Sequence, residues 1–122
     1  MEGEICRLKE IVAVCKRYKA YVYVDEAHSI GALGATGRGV MEHCGVPPED
    51  IDIFMGTYTK SFGSVGGYIA SSKEVCDFLR RSSPSSAYAC SMSPACVTQA
   101  SMAFRMIAGE DGTSKGRDKI RF

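Results

Sequence analysis

The sequence predicts an α/β fold built on a mostly parallel sheet with flanking helices. Short β-branched and aromatic runs alternate along the chain with segments of helical period. Clusters of Gly, Pro, Ser and Asp separate them, and no segment repeats. With 122 residues, the chain is one domain of ordinary length or part of a larger one.

Glu2 to Tyr18 reads as an amphipathic helix, because Ile5, Leu8, Ile11, Val12 and Cys15 return to one stripe. Tyr21 to Val24 is a short β-branched and aromatic run, hence a strand ending at Asp25. The following stretch, HSIGALGATGRG, holds four glycines and predicts a long loop. Pro47-Pro48-Glu49-Asp50 marks a turn before a second strand at Ile53 to Gly56. Gly63, Gly66 and Gly67 lead into a third strand, Tyr68 to Ala70.

Ser71 stands three residues before Glu74, the spacing of a capping box, and the helix it opens runs to about Arg81. Ala87 to Cys90 reads as a fourth strand. Ser93 followed by Pro94 opens a last helix that stops near Gly109. TSKGRDKIRF begins a further helix-like segment. Both ends break off within an element, so residues 1–122 are expected to be the interior of a larger domain.

Composition narrows the function. A net charge of +1 provides no electrostatic footprint for nucleic acid. No apolar run approaches the ~20 residues that cross a bilayer, and no signal-peptide pattern opens the chain. The six cysteines include no C-x-x-C pair, so zinc is not expected and they read as reduced core residues.

Within YVYVDEAHSIG, the word Asp25-Glu26-Ala27-His28 belongs to two unrelated chemistries. A DEAH-type helicase would hold Mg²⁺ and activate water with Asp25 and Glu26. It would also need a G-x-x-x-x-G-K-[ST] phosphate loop upstream. The nearest candidate, Gly56 to Ser61, has Thr59 where the glycine before the lysine belongs, and it lies downstream. The helicase reading fails.

A pyridoxal-phosphate enzyme accounts for more residues. It needs a lysine to bind the cofactor, an acid facing the pyridine nitrogen, and hydroxyls at the phosphate. Asp25 ends one strand and Lys60 follows the next, so both would face one crevice, with Thr57 beside them. Each residue alone has an ordinary explanation: a solvated lysine, a helix cap, a loop histidine, a hydrogen-bonding threonine. His43, between Glu42 and Cys44, reads as surface.

YVDEAHSIGALGATGRG and MGTYTKSFGSVGGYIA together resemble the α-oxoamine synthase family of pyridoxal-phosphate enzymes. The likeness extends to PEDIDIFMGT, YACSMSP and GEDGTSKG. It is nearest to the branch that condenses L-serine with palmitoyl-coenzyme A, since sister members show G-T-L-G-K at the lysine. The resemblance implies the central part of the large domain of the fold-type I aminotransferase-like fold. The N-terminal region and the small C-terminal domain would lie outside residues 1–122, and the fragment alone would be inactive.

The resemblance also implies roles. Lys60 would carry pyridoxal 5'-phosphate and move protons, and Asp25 would keep the pyridinium nitrogen protonated. His28 would bond the phenolic oxygen, Thr57 the phosphate, and Ser91 the phosphate of a neighbouring subunit. No metal is implied. The product would be 3-ketosphinganine, the first step of sphingolipid synthesis, made on the cytosolic face of the endoplasmic reticulum membrane. The enzyme would pair with a second subunit as a heterodimer, or form a homodimer. Two alternatives stand beside it: a sister enzyme using glycine or alanine, and a non-catalytic subunit. Ser61 and GEDGT favour serine, and Lys60 argues against a non-catalytic subunit.

Overall fold

The computed structural model describes residues 3–112. Its elements are α1 (Leu8–Tyr18), β1 (Tyr23–Asp25), α2 (Gly39–Cys44), a 3-10 turn (Pro48–Asp50), β2 (Ile53–Thr57), β3 (Gly67–Ser71), α3 (Lys73–Ser82), α4 (Pro84–Tyr88) and α5 (Pro94–Ala108). The segment expected to start at Thr113 lies outside the described residues.

The strands lie in the order β1-β2-β3. β1 and β2 are parallel, with Tyr23 opposite Ile53 and Asp25 opposite Met55. β2 and β3 are antiparallel, with Met55 opposite Ile69 and Gly56 opposite Tyr68. The sheet is therefore mixed rather than mostly parallel. The reason is connection length. Residues 26–52 leave room for a crossover, whereas residues 58–66 fall short of the dozen or so that a parallel return needs.

α1 begins at Leu8 rather than Glu2. Gly3 has φ +74, off the helical path, and Arg7 caps the helix without a side-chain bond. Leu8 and Val12 are buried and Cys15 packs partly beneath them, but Ile5 and Ile11 of the expected stripe are exposed. With Val22, Val24, Val40, Val46 and Ile51 these residues form the core between α1, α2 and the sheet. Burying each such side chain fully contributes about 1.5–3 kcal/mol.

A second cluster is aromatic. Phe62, only 1% exposed, stacks on Phe104 of α5 at 4.1 Å between centroids. Tyr58 meets Phe62 edge-on at 5.9 Å and lies 5.3 Å from Tyr68. This cluster fastens α5 beneath the turn that follows β2.

Three local expectations change. The glycine-rich loop ends in the short helix α2 at Gly39. The cap of α3 is Ser72, one residue later than expected, whose hydroxyl accepts from the Val75 N–H at 3.3 Å. Ala87 to Cys90 is not a strand. Ser83 and Pro84 open α4 there, the Ser83 hydroxyl accepting from the Ser86 N–H, and Tyr88 stands 90% exposed. α5 matches expectation, with Ser93 as its N-cap and Gly109 left-handed at φ +73.

All six cysteines are free, but Cys6 and Cys90 are exposed rather than packed. His43 is exposed, as a surface residue should be.

Candidate active site

The register sets Asp25, Met55 and Ile69 abreast, and Thr57 lies two residues further along the same face of β2. Just beyond the end of β2, the chain turns back through Lys60. A cleft of about 560 Å³ opens there, walled by Asp25, Ala27, Met55, Thr57, Lys60 and Ile69, with Gly56, Gly67 and Tyr68 completing it. A larger cleft of about 1060 Å³ lies at the opposite end of the strands, among Tyr21, Ile53, Ala70 and Val75. Its walls hold none of Asp25, His28, Thr57, Lys60 and Ser91.

The Lys60 turn closes on itself. Tyr58 N–H donates to Gly66 O at 2.9 Å, Ser64 N–H to Tyr58 O at 2.8 Å, and Gly63 N–H to Lys60 O at 3.1 Å. Gly66 takes φ +100, a region closed to most side chains. α5 braces the turn from outside, since Ser64 Oγ donates to Cys96 O at 2.8 Å and Gln99 Nε2 to Phe62 O at 3.3 Å. Lys60 itself is exposed and, among the described residues, makes no ion pair.

Thr57 is already engaged. Its hydroxyl donates to Gly66 O at 3.0 Å and accepts from the Thr59 N–H at 3.2 Å, with the Thr59 hydroxyl 2.7 Å away. A phosphate at this point would compete with Gly66 for that proton.

Asp25 is exposed at the end of β1, and its Oδ1 accepts from the Ala27 N–H at 2.8 Å. That bond turns the chain sharply after the strand. His28 does not line the Lys60 cleft. It lines an adjoining one of about 660 Å³ with Cys6, Ser29, Leu33 and Val40, and Asp25 is the wall common to both. Ser91 lines neither cleft and is exposed. Its neighbour Met92 packs on the lysine turn, with Sδ 3.2 Å from where a Cβ on Gly66 would stand.

Two contributors carry no role in the sequence reading. Glu26, weighed there only as a metal-holding acid, is 3% exposed and turned inward. Tyr68 lies across Gly56, where a Cβ would come within 2.4 Å of its ring. Burial pushes the Tyr68 phenol up, and the neighbouring Tyr58 and Glu26 add to the shift. The tyrosine in GGYIA had no signal beyond β propensity. Among the described residues no cluster of His, Cys, Asp or Glu could hold a metal ion.

The family described as aminotransferase class I and II matches residues 1–120. The chain is 62% identical over 120 residues to long chain base biosynthesis protein 2c of Oryza sativa subsp. japonica, covering 98% of this chain and 24% of that protein. It is 60% identical over 121 residues to serine palmitoyltransferase 2 of Dictyostelium discoideum, covering 99% and 25% respectively. The chain thus spans about a quarter of the length of the curated relatives it matches. Among solved structures it is similar to a lysine-to-alanine variant of serine palmitoyltransferase from S. paucimobilis with bound PLP-myriocin aldimine. That match has 38% identity and a TM-score of 0.83, over 91% of this chain and 28% of the other.

Proposed function

Because the chain belongs to the aminotransferase class I and II family, we propose that residues 1–122 are part of the cofactor-binding large domain of a serine palmitoyltransferase. The reaction would condense L-serine with palmitoyl-coenzyme A, releasing carbon dioxide and coenzyme A, to give 3-ketosphinganine. The names of the most similar relatives support this choice of substrates. The observation that carries it is the shared cleft of Asp25 and Lys60.

The donor set suits pyridoxal phosphate: the Lys60 amine, the Asp25 carboxylate and the hydroxyls of Thr57 and Tyr68 around a cleft of about 560 Å³. When bound, that group supplies an electron sink for the carbon beside the substrate amine. Lys60 would hold it through Nζ and, once released, carry a proton to and from that carbon. Asp25 would hold a proton at the ring nitrogen. Its Oδ1 is already fixed by the Ala27 N–H, so the carboxylate's direction is set before any ligand arrives. His28, on the other side of Asp25, would donate to the phenolic oxygen. Thr57 would exchange its bond to Gly66 O for one to the phosphate. Ser91, exposed and outside both clefts, suits a contact with a neighbouring subunit's phosphate.

The same reading extends to a second subunit, as heterodimer or homodimer, and to the cytosolic face of the endoplasmic reticulum membrane. Among the described residues no helix is long and apolar enough to cross a membrane. On this reading, membrane association belongs to regions of the parent enzyme outside residues 1–122.

Borohydride reduction of the full-length protein loaded with pyridoxal phosphate, followed by peptide mapping, tests the core of the proposal. The pyridoxyl label is expected on Lys60. A label on Lys73 instead would overturn it. Coenzyme A release with serine, glycine and alanine in parallel then tests the amino-acid substrate, with serine expected fastest.

A further inference from the structure

We infer that Glu26 is a positioning residue, whose buried carboxylate ties the Asp25–His28 segment to the first turn of α2 and so sets how both side chains meet the cofactor. The inference rests on the function proposed above. Glu26 is the one member of the Asp-Glu-Ala-His word that lines neither cleft.

A carboxylate 3% exposed is costly to bury unless its oxygens are bonded. Here they are. Oε2 accepts from the Ser29 hydroxyl, one turn ahead, and from the Val40 N–H at 3.0 Å. Oε1 faces the Met41 N–H at 3.4 Å. Val40 and Met41 belong to the first turn of α2, whose own cap residue, Arg38, supplies no side-chain bond. Glu26 therefore caps a helix from fourteen residues upstream.

The chain has been shaped to admit it. A Cβ on Gly39 would stand 2.3 Å from Glu26 Oε2, and Gly39 takes φ +85, so only glycine fits. The loop between is drawn together by Gly31 N–H to Gly37 O at 2.8 Å and Gly39 N–H to Leu33 O at 2.9 Å. At the other end, Glu26 N–H donates to Met55 O at 2.7 Å, which continues the pairing of β1 onto β2. Glu26 is thus bonded through its backbone to the strand that leads to Lys60 and through its side chain to α2. Asp25 precedes it and His28 follows two residues on, so the backbone that carries both is held in place by these bonds.

The test uses the full-length protein. Glu26→Gln keeps the shape but turns one acceptor into a donor, which then faces the Ser29 hydroxyl or a helix N–H. In cofactor-free protein, amide exchange in peptides covering residues 25–41 is expected to rise about tenfold or more, with peptides of α3 unchanged. In loaded protein the cofactor's absorption band is expected to shift. Turnover should fall on the order of tenfold to a hundredfold, while KM for serine changes about twofold or less. Ser29→Ala, which leaves the carboxylate in place, should move the same readings less. It serves as the test if Glu26→Gln does not fold.

Unchanged exchange over residues 25–41 would overturn the inference whatever the cofactor does. Faster exchange with an unmoved band and unmoved turnover would overturn it equally, because positioning would then be absent. Failure of the proposed function shows elsewhere, as a pyridoxyl label away from Lys60 in the unsubstituted protein.

Discussion

Gly31 lies directly against Ser61: a Cβ on Gly31 would stand 2.7 Å from the Ser61 Cβ and 3.1 Å from Ile107 Cδ1. The first residue belongs to the loop after Asp25 and His28, the second to the turn that carries Lys60. The loop and the turn therefore meet at Gly31, where the absence of a side chain makes room for Ser61.

Gly31→Ala is expected to destabilise the protein by about 2 kcal/mol or more, since φ +76 is strained for alanine even before the contact is counted. Ser61→Gly in the same chain would relieve the contact but not the backbone strain, so the double variant should recover part of the loss. Denaturant midpoints for the two single variants and the double variant measure the coupling. Strict additivity would show that the contact is not made.

Asp25 and His28 should separate in function. On the proposed roles, Asp25→Ala leaves the amine of Lys60 able to bind the cofactor but removes the group that keeps the ring protonated, so turnover collapses by on the order of a thousandfold or more. His28→Ala should shift the cofactor's absorbance and cost far less in rate. Steady-state rates and spectra of the two full-length variants decide between them. Full activity in Asp25→Ala would remove Asp25 from the site.

Phe62 is the most enclosed side chain described, stacked on Phe104 and lying under the lysine turn. Phe62→Ala should cost about 3–5 kcal/mol, and Phe62→Leu clearly less, because leucine refills most of the space. Thermal or urea unfolding reads this directly. A midpoint unchanged in Phe62→Ala would mean that α5 does not pack where it is described.

Glu42 makes stability depend on pH. Burial pushes its carboxyl up, but the Arg38 N–H, the Thr36 hydroxyl and N–H, and the Arg38 charge outweigh that and hold it below the usual 4.5. A carboxyl lowered on folding stabilises the fold above its unfolded value and loses that contribution as pH falls through its folded one. Glu42→Gln should therefore lower the unfolding midpoint above pH 4.5 and converge with the parent below it. A constant gap through the acid range would assign the effect to packing on Gly34 instead, whose Cβ would meet Glu42 Oε2 at 2.2 Å.

What the sequence by itself determined is local. α5 was legible to the residue, because Ser93, Pro94 and Gly109 act on their own backbone and need no partner. The strands leading to Asp25 and Lys60 were legible as β-branched and aromatic runs, and the motifs at their ends carry the candidate site residues. α4 carried the same kind of signal in Ser83-Pro84, but the apolar run after it reads equally as a strand. The direction of β3 follows from the short connection of residues 58–66, but the cap that Glu26 places on α2 and the contact of Gly31 with Ser61 were decided by tertiary structure alone. Each joins residues whose nearness depends on how a loop closes, and a sequence pattern records the period of one element rather than the path between two. The cleft follows from that path: Asp25 reaches Lys60 only because the parallel register sets Asp25 opposite Met55, five residues before the lysine.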